Sequence, residues 1–263
     1  MARYRKQNDP GGTKVIPSVT EIIGDCTSGV AWAMPYGSNQ ACDWIISNCQ
    51  EYDVKKTNSD PFYAVFKDEL RRFDKTIDKK YPDNARYAHK HHSKKARDIG
   101  SLVHDHIERY MRNRDESYMN LEGEAFNAFT AFLEWSEEHN LKPNGLEMTV
   151  YGETNGNPWA GTLDFFGEFD GKLYTIDWKT SAPANKKTGK GIRKTDRIQV
   201  AAYRSVMEIC DGCGVLRIDK TTGLPDWNDI SEKNYKQDLK IFNRMVDLYY
   251  DQHEQIGKKA RGE

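Results

Sequence analysis

The sequence predicts an α/β (α+β) fold: helices first, then a small antiparallel sheet, then helices again. Three observations predict it. Apolar residues recur at helical spacing between positions 98 and 139, the pattern changes to two-residue alternation between 146 and 180, and helical periodicity returns after a basic loop. Strands and helices do not alternate one by one, which excludes a parallel barrel.

The elements follow in order. In "IPSVTEIIGD", Ser18 caps a short helix with Glu21 three residues later, as a capping box requires. From there to about Ile77, Trp32, Trp44, Ile45, Ile46, Phe62, Tyr63, Phe66 and Phe73 fall at helix-like spacing, with loops at "MPYGSN" and "KTNSDP". The stretch from Asp78 to Arg97 is basic and polar. "DIGSLVHDHIERYM" then places Ile99, Leu102, Val103, Ile107 and Tyr110 on one buried stripe. A second helix runs from about Glu122 to His139 through Phe126, Phe129, Phe132, Leu133 and Trp135. After Pro143 come three strands, "LEMTVYGE", "WAGTLDFFGEF" and "KLYTIDWKT". The basic loop from Pro183 to Thr195 leads to a helix from about Asp196 to Ile209, a strand "GVLRID", and a last helix from about Ser231 to Gln255. This divides the chain into a helical N-terminal elaboration with a basic segment, 1–97, and a core, 98–263.

The chain of 263 residues is long enough to bury a core, and its 30% charged residues cancel to a formal charge of −1. Any affinity for nucleic acid must therefore come from local patches. No apolar run approaches the length of a membrane span, and "MARYRKQNDPGG" lacks the apolar centre of an export signal, so a cytoplasmic location without membrane contact is expected. The five cysteines, Cys26, Cys42, Cys49, Cys210 and Cys213, make an odd count better suited to thiols than to a disulfide framework. Cys210 and Cys213 form "CDGC", but no second such pair completes a zinc or iron–sulfur set.

The most informative stretch is "TIDWKTS", Thr175 to Ser181. Alternation puts Tyr174, Ile176 and Trp178 on one face and Thr175, Asp177 and Lys179 on the other. Just upstream, Asp170-Gly171 is the dipeptide most suited to a two-residue type I′ hairpin. That turn pairs Phe169 with Lys172, and counting back along both strands sets Phe165 opposite Ile176 and Asp164 opposite Asp177. Leu163, Phe165, Phe169, Tyr174, Ile176 and Trp178 then share one face, with Asp164, Glu168, Asp177 and Lys179 on the other. Directly opposed carboxylates, with Cβ atoms about 4.5–5.5 Å apart, repel one another and call for a cation. A hard divalent ion such as Mg²⁺ or Mn²⁺ suits such oxygen ligands. A surface hairpin with scattered charges would show the same alternation.

"GTLDF", "TIDWKTS" and "RIQVAAY" together resemble the PD-(D/E)XK nuclease superfamily, and within it the RecB-like exonuclease branch, with its order GxxD, DxKT and QxxxY. "RDIGSLVH", with His104 four residues after Gly100, is similar to that branch's histidine-bearing helix, and "PSVTEII" to its N-terminal element. The resemblance covers roughly Pro17 to Ile218. It implies a restriction-endonuclease-like core, a small mixed sheet flanked by helices, and a metal-dependent DNA exonuclease. On the matching positions it implies that Asp164 and Asp177 bind Mg²⁺ or Mn²⁺ together with the Trp178 carbonyl. His104 would add a nitrogen ligand, and Glu147 a further carboxylate, direct or through water. Lys179 would orient or activate the attacking water, and Gln199 and Tyr203 would brace the site and touch DNA. The cysteine pattern of the cluster-bearing members is absent, so no iron–sulfur cluster is expected. DNA ends are the implied partner, with a recombination or single-strand-binding protein as a possible second one. The work implied is end processing, recombination or repair, and a phage source fits by analogy. A structure-specific endonuclease or RNase on the same core, and a silent DNA-binding module, are the alternatives.

The residues alone leave several choices open. Helical angles place His106 near the centre of the apolar stripe and His104 at its edge, so periodicity alone makes His106 a core histidine. Glu153 competes with Glu147. The loop cations Lys186, Lys187, Lys190, Arg193, Lys194 and Arg197 either hold phosphates, with the salt sensitivity that brings, or are solvated. The tract from Lys79 to Arg97, with its "HKHH", is a second cationic surface, either DNA-facing or solvated.

Overall fold

A computed structural model describes residues 4–5, 15–27, 88–181 and 192–253. The helices expected between 28 and 77 lie outside these residues, as do Cys42 and Cys49. Residues 1–28 and 99–263 form one compact unit and 29–98 a second. In chain order the elements are β1 (Tyr4–Arg5), β2 (Val15–Ile16), α1 (Val19–Thr27), α2 (Ala88–Asn113), a 3-10 turn (Glu116–Asn120), α3 (Gly123–Glu138), β3 (Lys142–Thr154), β4 (Asn157–Phe169), β5 (Lys172–Ser181), α4 (Lys194–Arg204), β6 (Gly212–Asp219), β7 (Leu224–Asp229) and α5 (Glu232–Gln252). No described helix is long and apolar enough to cross a membrane.

Strands β3 to β7 form one mixed sheet in that order, with helices on both faces. It is antiparallel except where β5 and β6 run parallel, so the antiparallel expectation needs correcting. The physical reason is α4, which supplies the crossover that parallel neighbours require. On one face, Val103 and Ile107 of α2 and Phe129 and Phe132 of α3 pack on Phe165, Ile176, Trp178 and Leu216. On the other, Val19 and Ile22 of α1, Ile198 of α4 and Phe242 of α5 pack on Val150, Trp159 and Leu163. A third cluster joins Val200 of α4 to Cys213 and Val215 of β6. Because both faces are covered, the polar side of β5 is not solvated: Thr175 and Asp177 are both 0% exposed.

Sequence signals account for the start of α1 and for the β4–β5 turn. The Glu21 backbone N–H donates to Ser18 Oγ at 3.0 Å and starts α1. The return half of the expected box is replaced, since Glu21 Oε1 accepts from the Tyr249 hydroxyl at 3.1 Å and ties α1 to α5. Asp170 and Gly171 have φ of 49° and 77°, the pair of positive values a type I′ turn demands. The pairing Phe169 to Lys172 through Phe165 to Ile176 follows as expected.

Other expectations are corrected. Residues 88–97 are helical and extend α2 upstream of its expected start. Leu102 and Phe126 are 41% and 40% exposed and so stand outside the core. Leu163 and Phe165 belong to opposite cores, although alternation assigns them one face. Helix α4 stops at Arg204, five residues early, where the Ser205 hydroxyl donates to the Ala202 carbonyl at 2.7 Å. Edge strand β7 was not expected, because "LPDWND" carries a proline and two aspartates in place of alternation.

Candidate active site and metal centre

The site lies where β4 and β5 part. Their ladder ends at Phe165 and Ile176, one pair short of the two aspartates. Beyond it, a side chain replaces the backbone acceptor: the Trp178 N–H donates to Asp164 Oδ2 at 2.8 Å. The Asp164 carboxylate therefore reaches between the strands, and Asp164 and Asp177 stand one position beyond the last regular pair. Trp178 keeps its ring in the core, 5.2 Å from Phe132 between centroids.

Asp164 Oδ1 lies 3.8 Å from His104 Nδ1, and Glu147 Oε1 is also 3.8 Å from that nitrogen. One donor atom from each of His104, Glu147 and Asp164 lies within 4.8 Å of the others, a group that could hold a metal ion. The two histidines are placed differently. His106 is buried, with Nδ1 2.8 Å from the Leu102 carbonyl oxygen, while the His104 side chain is 26% exposed and faces the carboxylates. Glu153 is exposed near the far end of β3.

Asp177 approaches from the α4 face of β5. Its carboxylate is wholly buried and pairs with Lys179 Nζ at 2.5 Å. Lys179 is thus the partner of Oδ2, while Oδ1 has no hydrogen-bond partner among the described residues. Burial, with Asp164 adding its charge, pushes the Asp177 carboxyl up to about 7 against the pull of Lys179. Burial likewise raises Asp164, although His104 and Lys179 oppose the rise. Burial disfavours the charged form of Lys179, but Asp177 and Asp164 outweigh it and raise its pKa. The same contest raises His104, where burial is overcome by Glu147 and Asp164. The His/Glu/Asp cluster, with the buried Lys179-paired Asp177 carboxylate near it, is a donor set that fits a hard divalent cation.

Two glycines explain how the helices come close enough. A Cβ on Gly100 would sit 3.0 Å from Thr180 Oγ1, so this residue lets α2 lie against β5 one turn before His104. A Cβ on Gly161 would collide with the Tyr203 ring, which ties the glycine three residues before Asp164 to the helix α4 tyrosine. Gln199 Nε2 in turn donates to the Tyr203 hydroxyl at 3.1 Å. Beside the cluster, a cleft of ≈ 410 Å³ is lined by Gly100, Ser101, His104, Asp105, Glu108 and Glu147.

The basic loop divides. Lys186, Lys187 and Lys190 lie outside the described residues. Arg193 and Lys194 are exposed at the start of α4. Arg197 instead gives Asp238 Oδ2 two hydrogen bonds, at 3.0 and 2.7 Å, and so ties α4 to α5. The "HKHH" side chains are likewise outside the description. Cys26, Cys210 and Cys213 are free thiols. Cys213 is buried in the third core cluster, and burial pushes its thiol up to about 12.

One residue was missed. Asp196 adds its negative charge to both Asp177 and Lys179. Its only signal in the sequence is its place as the first acid after the basic run, where it also accepts from the Arg193 N–H at 3.0 Å to start α4.

No family model matches the chain, and no curated protein matches it. Among solved structures, it is similar to SSO0001 at 14% identity and a TM-score of 0.35, over 82% of this chain and 86% of that one. It is similar also to a protein named "Putative exonuclease (RER070207002219) from Eubacterium rectale" at 14% identity and a TM-score of 0.36, over 100% of this chain and 88% of that one. Neither likeness is close enough to carry a function across.

Proposed function

We propose that the protein is a metal-dependent deoxyribonuclease of the PD-(D/E)XK kind, acting as an exonuclease on DNA ends with Mg²⁺ or Mn²⁺. The observation that carries this reading is the His104, Glu147 and Asp164 cluster with the wholly buried Asp177 carboxylate near it, paired with Lys179 through Oδ2 and with Oδ1 unpartnered among the described residues.

Asp164, Asp177, Glu147 and His104 are the residues to hold the ion, with the Trp178 carbonyl as a further oxygen. When bound, such an ion polarises a phosphoryl oxygen and supplies hydroxide at neutral pH. Lys179 has a narrower role than general base, because the carboxylates around it keep it protonated. It donates hydrogen bonds to the attacking water or a phosphate oxygen and stabilises the charge that builds there. Asp164 does two jobs, since one oxygen fixes the Trp178 N–H while the other faces His104. Gln199, held by Tyr203, braces the α4 side. Of the basic loop, Arg193 and Lys194 are exposed described cations that we assign to phosphate contact.

The test is digestion of end-labelled linear and circular DNA with Mg²⁺, Mn²⁺ or EDTA. The reading expects metal-dependent loss of linear DNA from its ends, abolished by Asp177→Ala and Lys179→Ala. Cutting of circles would shift it to an endonuclease. Binding of DNA without cleavage under either metal would leave a binding module and overturn the enzyme.

A further inference from the structure

Glu147 is a non-glycine residue in the left-handed region, with φ of 48°, in the middle of strand β3. A side chain with a Cβ adopts that conformation only at a cost, and inside a strand nothing in the ladder calls for it. Its neighbours pair normally, Leu146 with Phe165 and Met148 with Leu163, and that register places Glu147 opposite Asp164. Neither of those two residues joins the ladder. The hairpin also changes sides here. Leu146 and Phe165 pack in the α2/α3 core, whereas Val150 and Leu163, on positions of the same parity, pack in the core of α1, α4 and α5. The break therefore coincides with the point where Glu147 meets His104 and Asp164.

We propose that the left-handed backbone at Glu147 is a positioning device: it rotates the β3–β4 hairpin between the two cores and, in the same turn, aims the Glu147 carboxylate at His104 and Asp164. The strain is kept because a regular strand there would carry this side chain away from the cluster. This inference rests on the metal-site reading, and it adds that the strand is held out of its preferred geometry to complete the site.

The full-length protein and its Glu147→Gly and Glu147→Ala variants separate the claims, with thermal unfolding measured in EDTA and in Mn²⁺. Both variants remove the same carboxylate, so their difference reads the backbone alone. In an ordinary strand Ala is the better residue, and at positive φ Gly is. The device predicts that in EDTA the Gly variant unfolds about 2–4 °C above the Ala variant. It also predicts that Mn²⁺ raises the unfolding temperature of wild type more than that of either variant. An Ala variant as stable as the Gly variant, or more so, overturns the device while leaving the metal reading standing. Equal Mn²⁺ shifts in wild type and variants also overturn it, because the carboxylate then delivers nothing. A wild type unmoved by Mn²⁺ overturns the metal reading, and the device with it.

Discussion

The two ends of the β4–β5 hairpin are built in opposite ways. At the turn end, Asp170 and Gly171 close a regular ladder, and Phe169 packs against Trp135, Tyr174 and Trp227, with ring centroids between 4.8 and 5.5 Å. At the open end the ladder stops, a carboxylate takes a backbone N–H, and Asp177 is buried against Lys179 with Oδ1 unpartnered among the described residues. One end satisfies its polar groups and stacks its apolar ones. The other buries a carboxylate with one oxygen unpartnered among the described residues, beside a His/Glu/Asp group that could hold a metal ion. The lesson is that the regular end holds the irregular one in place.

That contrast can be broken from either side, and the largest effect is expected at the open end. Asp164→Asn should lower DNA cleavage by about 10³-fold, while the folded protein persists, because Asn can still accept from the Trp178 N–H. Circular dichroism beside the digestion assay checks both halves. Phe169→Ala at the turn end should do the reverse: a loss of about 3–5 kcal/mol in urea unfolding with little change in cleavage per folded molecule. Below these comes Gly171→Ala, with about 1–2 kcal/mol lost because the turn holds φ at 77°.

A pH dependence sharpens the comparison further. With its carboxyl raised to about 7, Asp177 binds its proton more tightly folded than unfolded. Without metal, its contribution to stability is therefore present at low pH and is lost as pH rises from the unfolded value of about 4 toward 7. A bound metal would compete with that proton and with the one on His104, whose pKa is also raised, so Mn²⁺ affinity measured by calorimetry should climb with pH through about 7. In Asp177→Asn the climb should flatten.

The same two ends show what could be read from the sequence. Asp170-Gly171 and the alternation after it fixed the turn and the register as far as Phe165 and Ile176, since both depend on local backbone geometry. The alternation rule then carried Asp164 to a position opposite Asp177. What it does not encode is that the ladder stops one pair earlier, where Asp164 uses its side chain in place of a backbone carbonyl. Leu163 and Phe165 were assigned one face because alternation assumes regular strands, whereas the neighbouring strand carries a left-handed residue at Glu147 and the two side chains pack in opposite cores. His106 was recognisable as a core histidine from helical angles alone, whereas His104 at the edge of the stripe needed the resemblance to stand out. Asp196 reaches Asp177 and Lys179 only because α4 returns over the sheet to let β6 run parallel to β5, a tertiary fact with no local signal.

The central claim is that a divalent cation completes the open end of this hairpin. Anomalous diffraction from crystals grown in saturating Mn²⁺ tests it most directly. The account predicts an anomalous peak bounded by His104, Glu147, Asp164 and Asp177, absent in the Asp164→Asn variant. A wild-type map with no peak among those four residues, or one unchanged by the substitution, would contradict it.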